Sequence, residues 1–493
     1  MSAPGPVTIR NLTAQPLTIK LVERYETPNP KDFLPNGGFS VSNVSSNFTT
    51  LFSNKTSHSP ASVNEKAQAF TKQDVDLRME PFTTHVTDIK TSERGPAEIL
   101  RLTLQGDGGG RWRIDTPTPS SASQTLSPLT PVPKHDYTAI YNSADHFLAI
   151  LESTNLRNWM KEFQDETPLS ALSLPGTHNS PTYHKALPSV RCQAVPPRDQ
   201  LENGVRFFDI RVQPTNPSDP KDDGLALVHG AFPISLTGPK RFRDLLKTIE
   251  GFLDRNPSET LIMSLKREGT GNATDQQLCQ ILHDHYCSDQ ARWYTSPSIP
   301  TLAQARGKIV LVRRFELADS LKGENDGKGW GLNAENWAYN TPDCTYGDVR
   351  VQDFCEVLET ENIEKKISLC CDHFERAAAV VCPIPGVTTD ETNPVPPGPL
   401  YLNFLSASNF WKVGCWPEKI AARLNPAVKD FLVQRHDVGD KGVDGPGEKV
   451  EGDGGVGIVV CDWVGQGGDW DLVRAIVGMN SKLLVRQRGV GWK

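Results

Sequence analysis

The chain has 493 residues, of which 37% are hydrophobic and 23% charged, and its formal net charge is -7 at pH 7. This length exceeds one ordinary core, so two domains are expected, and the composition is that of a globular protein rather than a fibre or a disordered chain. The negative net charge, without a long run of basic residues, argues against a nucleic-acid partner and against general electrostatic attraction to anionic membranes.

The sequence shows no recognisable targeting signal and no paired-cysteine motif. The amino-terminal segment lacks the basic and apolar regions of a signal peptide, and no apolar run approaches the roughly 18 residues that span a bilayer. We therefore expect an intracellular protein, cytoplasmic or peripheral to a membrane, and a monomer. All ten cysteines follow residue 191 without a Cys-x-x-Cys pair, which predicts neither a zinc motif nor a disulfide framework.

The first 115 residues contain short stretches in which apolar and polar residues alternate, as at 7–10, 17–22 and 98–104. Alternation with a period of two, divided by Asn, Gly and Pro, predicts strands. We expect a small all-β, sandwich-like domain at the amino terminus.

A segment rich in Ser, Thr and Pro at 116–134 predicts a loop or linker, because it can bury little apolar surface. The segment at 137–147 can still add a strand to the first domain. The predicted boundary therefore lies near residue 150, which gives domains 1–150 and 151–493.

From about residue 165, short apolar strands alternate with helical stretches, which is typical of parallel βα units. Eight is the number of strands that a closed (β/α)8 barrel needs. The second domain is thus predicted to be α/β, a TIM-type barrel that is regular or distorted, with a low-propensity insertion at 321–347 and another at 437–455. The candidate strands are 171–175, 205–211, 225–229, 260–266, 308–313, 348–352, 400–405 and 457–462.

Ionisable residues follow five of these predicted strands at the carboxyl end, where barrel enzymes have their active sites. A lone histidine is more often structural, and an Asp-x-Arg sequence is more often a salt bridge. Five such strand ends in one barrel nevertheless favour catalysis over structure. The residues are His178, the pair Asp209 and Arg211, His229, the pair Lys266 and Glu268, and Asp462.

Two histidines, a cation and supporting carboxylates suit cleavage of a phosphodiester by an internal hydroxyl. One imidazole removes the proton of the nucleophile while the other protonates the leaving oxygen. An arginine fork can hold the non-bridging oxygens and stabilise the charge that develops on the phosphorus centre. This chemistry requires no metal.

The same segments resemble the X-type catalytic region of phosphatidylinositol-specific phospholipase C, in the bacterial form that also occurs in fungal proteins. The resemblance covers most of residues 165–485. It is carried by PGTHNS at 175–180, FDIR at 208–211, VHG at 228–230, MSLKRE at 263–268, RGKIVL at 306–311 and LNF at 402–404.

The resemblance implies a role for each matching residue. His178 would be the general base on the inositol 2-hydroxyl and His229 the general acid for the diacylglycerol oxygen, so that a cyclic inositol phosphate forms. Arg211 would contact the phosphate, and Asp462 would orient His178. The partner would be an inositol phospholipid at a membrane surface, in a pocket that includes Asp209, Lys266, Glu268, Arg313 and Asp353.

Two features bear on metal use. Arg211 and Lys266 stand where the calcium-dependent eukaryotic relatives have acidic ligands, and two cations would repel Ca²⁺. We therefore expect no cofactor and no metal site. Asn179 stands where the bacterial form commonly has Asp, and an amide cannot hold a histidine protonated. A slower acid step, a substitute carboxylate and a residual metal role all stay open.

Two other functions remain as alternatives. A glycerophosphodiesterase-like barrel also uses paired histidines, but it needs a cluster of acidic metal ligands. A catalytically weak lipid-binding or scaffold protein is favoured by Asn179 and opposed by the intact histidine pair. Four tryptophans lie in stretches suited to the barrel rim, where indole can contact a membrane, although ordinary packing explains each equally well. They are Trp330, Trp337, Trp411 and Trp416.

Overall fold

A computed structural model describes residues 5–26, 63, 67–93, 98–117, 123–219, 221–384, 397–438 and 452–487. Within its described part, the stretch up to residue 152 contains ten strands. They are β1 (Pro6–Asn11), β2 (Leu17–Glu26), β3 (Thr71–Met79), β4 (Thr83–Lys90), β5 (Glu98–Gly106), β6 (Arg111–Pro117), β7 (Ser123–Thr125), β8 (Ser127–Pro128), β9 (Tyr137–Asn142) and β10 (Phe147–Glu152).

These strands form two five-stranded sheets, in the orders β4-β1-β10-β9-β7 and β3-β2-β5-β6-β8. Alternate residues of each strand point to one face, and both sheets contribute to one buried apolar cluster that includes Ile9, Leu102, Trp112 and Leu148. The strands predicted at 7–10, 17–22 and 98–104 are confirmed.

The predicted loop at 116–134 is wrong in part, because it contains β7 and β8. Strand β7 pairs antiparallel with β9, and Ser123 lies opposite Ile140. Ladder hydrogen bonds join backbone groups, so a strand of this kind needs no apolar side chains and leaves no hydrophobic pattern to read. Residues 118–122 of this segment lie outside the described part of the chain.

The remaining strands belong to a 13-stranded sheet. They are β11 (Leu174–Thr177), β12 (Phe207–Pro214), β13 (Leu225–His229), β14 (Phe232–Pro233), β15 (Lys240–Arg241), β16 (Leu261–Arg267), β17 (Trp293–Tyr294), β18 (Ile309–Arg314), β19 (Leu332–Asn333), β20 (Cys344–Tyr346), β21 (Val349–Gln352), β22 (Leu400–Phe404) and β23 (Ile458–Cys461).

Eight of these strands follow one another as parallel neighbours. The pairs run from β21 through β22, β23, β11, β12, β16 and β18 to β19. The two end strands also approach each other, because the Asp348 amide donates a hydrogen bond of 2.9 Å to the Asn333 carbonyl oxygen. The carboxyl ends of all eight strands therefore meet at one side of the sheet.

The strand predicted at 225–229 is confirmed, but its predicted place among the eight parallel strands is wrong. Strand β13 pairs antiparallel with β12 and belongs to a side branch with β14 and β15. The parallel position is taken instead by β19, which has two residues and lies in the segment at 321–347 that was predicted to be an insertion. Two residues are too few to give a periodic signal.

Most helices of this region lie between its strands, and the last two follow β23. The helices are α1 (Pro197–Glu202), α2 (Phe242–Arg255), α3 (Asp275–His285), α4 (Leu302–Ala305), α5 (Glu324–Gly327), α6 (Asn362–Ala378), α7 (Pro417–Gln434), α8 (Asp471–Gly478) and α9 (Ser481–Gln487). Helix α3 begins with a capping box, in which Thr274 and Gln277 satisfy each other's backbone amides. Among the described residues, no helix combines the length and apolar composition needed to cross a bilayer.

The amino-terminal sheets pack directly on the helices of the second region. In β10, Leu148 and Ile150 face the core between the two sheets. The alternate residues Phe147 and Leu151 lie instead in a cluster with side chains of α7 and α8, such as Leu472. Strand β10 is therefore buried on both faces, which joins the two regions through apolar surface.

A buried ion pair lies at the amino end of β12, on the side of the sheet opposite the carboxyl ends of the strands. Arg206 and Glu259 are fully buried, with 2.9 Å between Nη2 and Oε2. The guanidinium group also donates to the carbonyl oxygens of Leu201 and Val205. The buried charge thus has a counter-charge and backbone acceptors, which is the condition for tolerating a charge in the interior.

We predict that Glu259→Gln lowers the free energy of unfolding by about 3–5 kcal/mol, because it leaves a buried guanidinium without its counter-charge. Urea denaturation measures the change. Lys322→Ala, which removes an exposed ion pair with Asp319, is the control and should leave the midpoint in place. Equal midpoints for Glu259→Gln and the native chain would contradict the prediction.

Candidate active site

Polar side chains occupy the inward-facing positions at the carboxyl ends of the parallel strands. In β12, Phe208 and Ile210 lie in the cluster shared with the outer helices, whereas Phe207 lies in the cluster inside the ring of strands. Asp209 and Arg211 share the inward phase of Phe207. The same alternation directs Lys266, Arg314 and Asp462 to the interior, and these residues surround an open cavity of about 570 Å³ whose lining includes His178, Arg211, His229, Lys266, Arg314 and Asp353.

His178 follows β11 directly and is held by a carboxylate. Its Nδ1 lies 2.9 Å from Oδ1 of Asp462, the residue that follows β23. A neutral imidazole in this contact carries its proton on Nδ1, so Nε2 keeps a free lone pair. Burial raises the pKa of Asp462, and the neighbouring His178 opposes that change. The pair therefore leaves a base at the cavity.

Asp209 is fully buried and lies at the centre of a charge network. Its Oδ2 accepts a hydrogen bond of 2.9 Å from Arg211, and its Oδ1 accepts one of 3.2 Å from Arg314. Burial alone would raise the pKa of Asp209, but Arg211, Arg314 and His178 outweigh burial and lower it. Asp209 therefore stays ionised.

Arg211 is also bound to Glu268, with 2.7 Å between Nη1 and Oε1. The same oxygen accepts a hydrogen bond of 3.1 Å from Lys266, and Oε2 accepts the backbone amide of Gly230 at 2.8 Å. Burial would raise the pKa of Glu268, but Arg211 and Lys266 lower it overall. The carboxylates of Asp209 and Glu268 are thus both bound by cationic side chains, which makes them poor ligands for Ca²⁺.

His229 reaches the cavity from β13 rather than from a parallel strand. Its ring centre lies 5.7 Å from that of His178, with the ring planes at 85°. Its Nδ1 lies 2.8 Å from the carbonyl oxygen of Val190, so Nδ1 carries a proton and donates. Burial lowers the pKa of His229 to about 4, assisted by the charges of His178 and Arg211. The imidazole is therefore neutral near pH 7.

Asn179 adopts the left-handed backbone region, with φ of 43°, which asparagine tolerates better than other side chains. In this conformation the backbone amide of Asn179 donates a hydrogen bond of 3.2 Å to Oδ2 of Asp209. The side chain of Asn179 is fully buried, and within the described part of the chain neither of its amide atoms has a hydrogen-bond partner. The place of Asn179 among the catalytic residues remains a prediction.

Two of the predicted substrate contacts, Asp353 and Arg313, lie in different places relative to the cavity. Asp353 lines the cavity and accepts the Trp337 indole proton at 3.1 Å. Arg313 does not belong to the lining, because it has the outward phase of β18 and donates to Asn333 at 3.0 Å. The neighbouring Arg314 takes the inward position and lies 3.9 Å from the centre of the Trp337 ring.

Trp337 was considered only for the barrel rim, and Arg314 was not among the predicted substrate contacts, yet both line the cavity. Both faces of β18 are buried, so the run Ile309–Arg314 has no alternation from which the inward phase could be read. Deciding which of Arg313 and Arg314 faces the interior requires the registers of the neighbouring strands. Arg314 lies opposite Lys266 in the ladder between β18 and β16.

The four tryptophans proposed for the rim have different environments. Trp330 is buried in the outer core, and Trp337 lies at the cavity wall. Trp416 is half-buried, and its indole donates to the Phe410 carbonyl oxygen at 3.1 Å. Trp411 is 89% exposed and lines the cavity mouth. Of the four, Trp411 is the one placed for contact with an external surface.

Comparison with known proteins agrees with the motifs. The family model described as "Phosphatidylinositol-specific phospholipase C, X domain" matches residues 166–315. A 1-phosphatidylinositol phosphodiesterase of Listeria monocytogenes is 36% identical over 173 residues, which are 33% of this chain and 50% of that protein. The predicted family resemblance is confirmed.

Other relatives match less closely. A 1-phosphatidylinositol phosphodiesterase of Staphylococcus aureus strain Newman is 26% identical over 194 residues, 37% of this chain and 59% of that protein. The human PI-PLC X domain-containing protein 1 is 27% identical over 192 residues, 32% of this chain and 55% of that protein. This chain thus spans about half the length of the curated relatives that it matches. A solved structure of the Staphylococcus aureus phospholipase covers 66% of this chain and 97% of its own, at 22% identity and a TM-score of 0.49.

We predict that His229 titrates with a pKa of about 4, and that Asn179→Asp raises this pKa because it adds negative charge to the buried site. Two-dimensional NMR of the imidazole nitrogens measures both values. His283, whose side chain is 38% exposed, reports in the same spectra on a ring outside the cavity and should not shift between the two proteins. A pKa of His229 that is unchanged in Asn179→Asp would contradict the electrostatic argument.

Proposed function

We propose that this chain cleaves phosphatidylinositol-type lipids, releasing diacylglycerol and a cyclic inositol phosphate. The observation that carries the proposal is the His178–Asp462 pair, which lies beside His229 and Arg211 in one cavity. Nε2 of His178 takes the proton of the inositol 2-hydroxyl, and that oxygen attacks the phosphorus atom. Arg211 stabilises the charge on the non-bridging oxygens, and His229 protonates the departing diacylglycerol oxygen.

Polar groups around the cavity suit the inositol ring. Lys266 and Glu268 on one side and Asp353 on the other offer donors and acceptors to the sugar hydroxyls. Asp209 is buried behind them and accepts hydrogen bonds from Arg211 and Arg314, which fixes both guanidinium groups. Arg314 replaces Arg313 as the proposed contact, because its inward position supports that role.

We propose that the reaction uses no metal ion. The carboxylates of Asp209 and Glu268 are bound by guanidinium groups, and Lys266 adds a further positive charge. A divalent cation at this place would have to displace those partners against their repulsion. Arg211 supplies the positive charge that a calcium ion would otherwise provide.

The order of the parallel strands supports a barrel architecture for the catalytic region. We infer that the eight parallel strands are a distorted (β/α)8 barrel, which closes where the Asp348 amide meets the Asn333 carbonyl oxygen. We also propose that residues 1–150 are an all-β, sandwich-like domain and residues 151–493 the catalytic domain, and that the protein acts as a monomer.

A second candidate function is binding of inositol lipids with weak catalysis. The observation that favours it is the burial of His229, which lowers its pKa to about 4 and leaves few molecules with a protonated acid near pH 7. The third candidate, a glycerophosphodiesterase-like reaction, is disfavoured because Asp209 and Glu268 are already paired with cationic side chains.

We predict that His178→Ala and His229→Ala each lower the rate of diacylglycerol release from mixed micelles by about 10²- to 10⁴-fold, the usual contribution of a general acid or base. His283→Ala, which changes a histidine outside the cavity, is the matched control and should keep the native rate. Full activity in either cavity variant would remove that histidine from the mechanism. No activity in the native chain would favour the lipid-binding function.

Excess chelator should leave the native rate unchanged, because the charge on the phosphate is balanced by Arg211. The assay is the same micellar release, run with and without chelator and then with added Ca²⁺. A loss of activity that Ca²⁺ restores would show that the charge argument is wrong.

An apolar patch at the cavity mouth supports contact with a bilayer. We define this rim patch as Phe232, Tyr339, Leu358, Phe410 and Trp411. Phe232 stacks on Phe410 with ring centres 5.2 Å apart, and Trp411 contacts Phe410 at 4.9 Å. Exposed aromatic side chains beside a lipid-cleaving cavity suit the interface, where indole and phenyl groups leave water.

We predict that Trp411→Ala weakens binding to phosphatidylinositol vesicles by roughly tenfold or more, since burial of one large apolar side chain stabilises by about 1.5–3 kcal/mol. Vesicle sedimentation measures the binding, and a soluble, short-chain substrate tests whether the cavity still works. Val86→Ala, at an exposed residue on β4, is the control. Equal loss on soluble substrate and vesicles would mean that Trp411 serves the cavity and not the membrane.

A further inference from the structure

A buried thiol lies beneath the two histidines. Sγ of Cys192 is 3.7 Å from Nδ1 of His229, and the side chain is fully buried. Its backbone is fixed at both ends, because the Cys192 amide donates to Thr182 and the Cys192 carbonyl oxygen accepts the amide of Trp463 at 2.8 Å. The thiol is therefore tied to the end of β23, where Asp462 lies.

We propose that His178, Cys192 and Asp462 form a binding site for a thiophilic divalent cation such as Zn²⁺, and that the bound cation switches the enzyme off. One ligand atom from each of the three side chains lies within 4.8 Å of the other two. A tetrahedral zinc ion with bonds of about 2.0–2.3 Å separates its ligands by roughly 3.5 Å. A small inward movement of the side chains therefore completes the coordination.

The donor atoms select the class of cation. One nitrogen, one sulfur and one carboxylate oxygen suit zinc and cadmium, whereas calcium and magnesium prefer oxygen alone. The fourth position is open to water from the cavity, since His178 lines it. Cys192 and His178 are only 14 residues apart but Asp462 is distant in the chain, so no sequence spacing reveals the group.

The local charges permit a cation at this place. Arg211 is neutralised by Asp209 and Glu268, and the buried Lys366 is a cation that acts on Asp462. When zinc binds, the Cys192 thiol releases its proton to solvent and becomes a thiolate. The thiolate and Asp462 together carry two negative charges, which match the charge of the ion.

Binding removes the base whichever nitrogen of His178 takes part. If Nδ1 is the ligand, the hydrogen bond to Asp462 is broken and the ring loses its orientation. If Nε2 is the ligand, the lone pair that would accept the substrate proton is occupied. This inhibitory consequence rests on the proposed function, whereas the binding of the cation does not.

The binding test uses cadmium as an optical probe. Cd²⁺ titrated into the full chain should give the ultraviolet charge-transfer band of a cadmium thiolate, at one ion per chain, and Zn²⁺ should displace it. Cys192→Ala should lose the band. Cys461→Ala, which removes a buried thiol outside the group of three side chains, should keep it. A native chain without the band, or a band that survives in Cys192→Ala, overturns the site.

The activity test measures the Zn²⁺ concentration that halves the micellar rate, relative to the metal-free rate of each variant. Removing a ligand should raise this concentration on the order of tenfold or more in Cys192→Ala, and chelator should restore the native rate. Equal inhibition of both proteins would place zinc elsewhere and overturn the inhibitory claim. A native chain that binds Cd²⁺ but has no phospholipase activity would refute the proposed function. The proposed cation site would still stand.

Discussion

The buried carboxylate of Asp209 is the interaction on which the rest of the site depends. It receives Arg211 from its own strand, Arg314 from β18 and the backbone amide of Asn179 from the turn after β11. These contacts join three strand ends of the ring. A buried charge with three donors is stable only while all of them stay in place, so the carboxylate fixes the position of each donor.

The consequences of that arrangement reach both histidines. The turn fixed at Asn179 presents His178 to Asp462, and Arg211 is held where a phosphate can meet it. Burial, with His178 and the positive charge of Arg211, lowers the pKa of His229, which makes its proton easy to release and scarce near pH 7. The geometry thus favours the base step and makes the protonation of the leaving oxygen the demanding one.

The sequence predicts the positions of seven parallel strands and the ionisable residues that follow them. It fails where the periodic signal is absent: β19 has two residues, and β13 has a good strand pattern but an antiparallel partner. His229 nevertheless reaches the cavity, because the side branch folds back beside the carboxyl end of β12. The choice between Arg313 and Arg314 needed the registers of adjacent strands, since β18 is buried on both faces.

Packing of the amino-terminal sheets was also beyond the sequence. The strand β10 reads as an ordinary apolar run, yet its two faces join two different cores. A sequence pattern tells that both faces are apolar and not which partner covers each face. The segment at 437–455, predicted as an insertion, lies outside the described residues from 439 to 451.

Phosphorus NMR of phosphatidylinositol turnover in excess chelator tests the central claim most directly. If His178 activates the inositol 2-hydroxyl, the resonance of a cyclic phosphodiester appears first, and any phosphomonoester follows it. A phosphomonoester that forms from the outset, without the cyclic species, would mean that water is the nucleophile and would contradict the account.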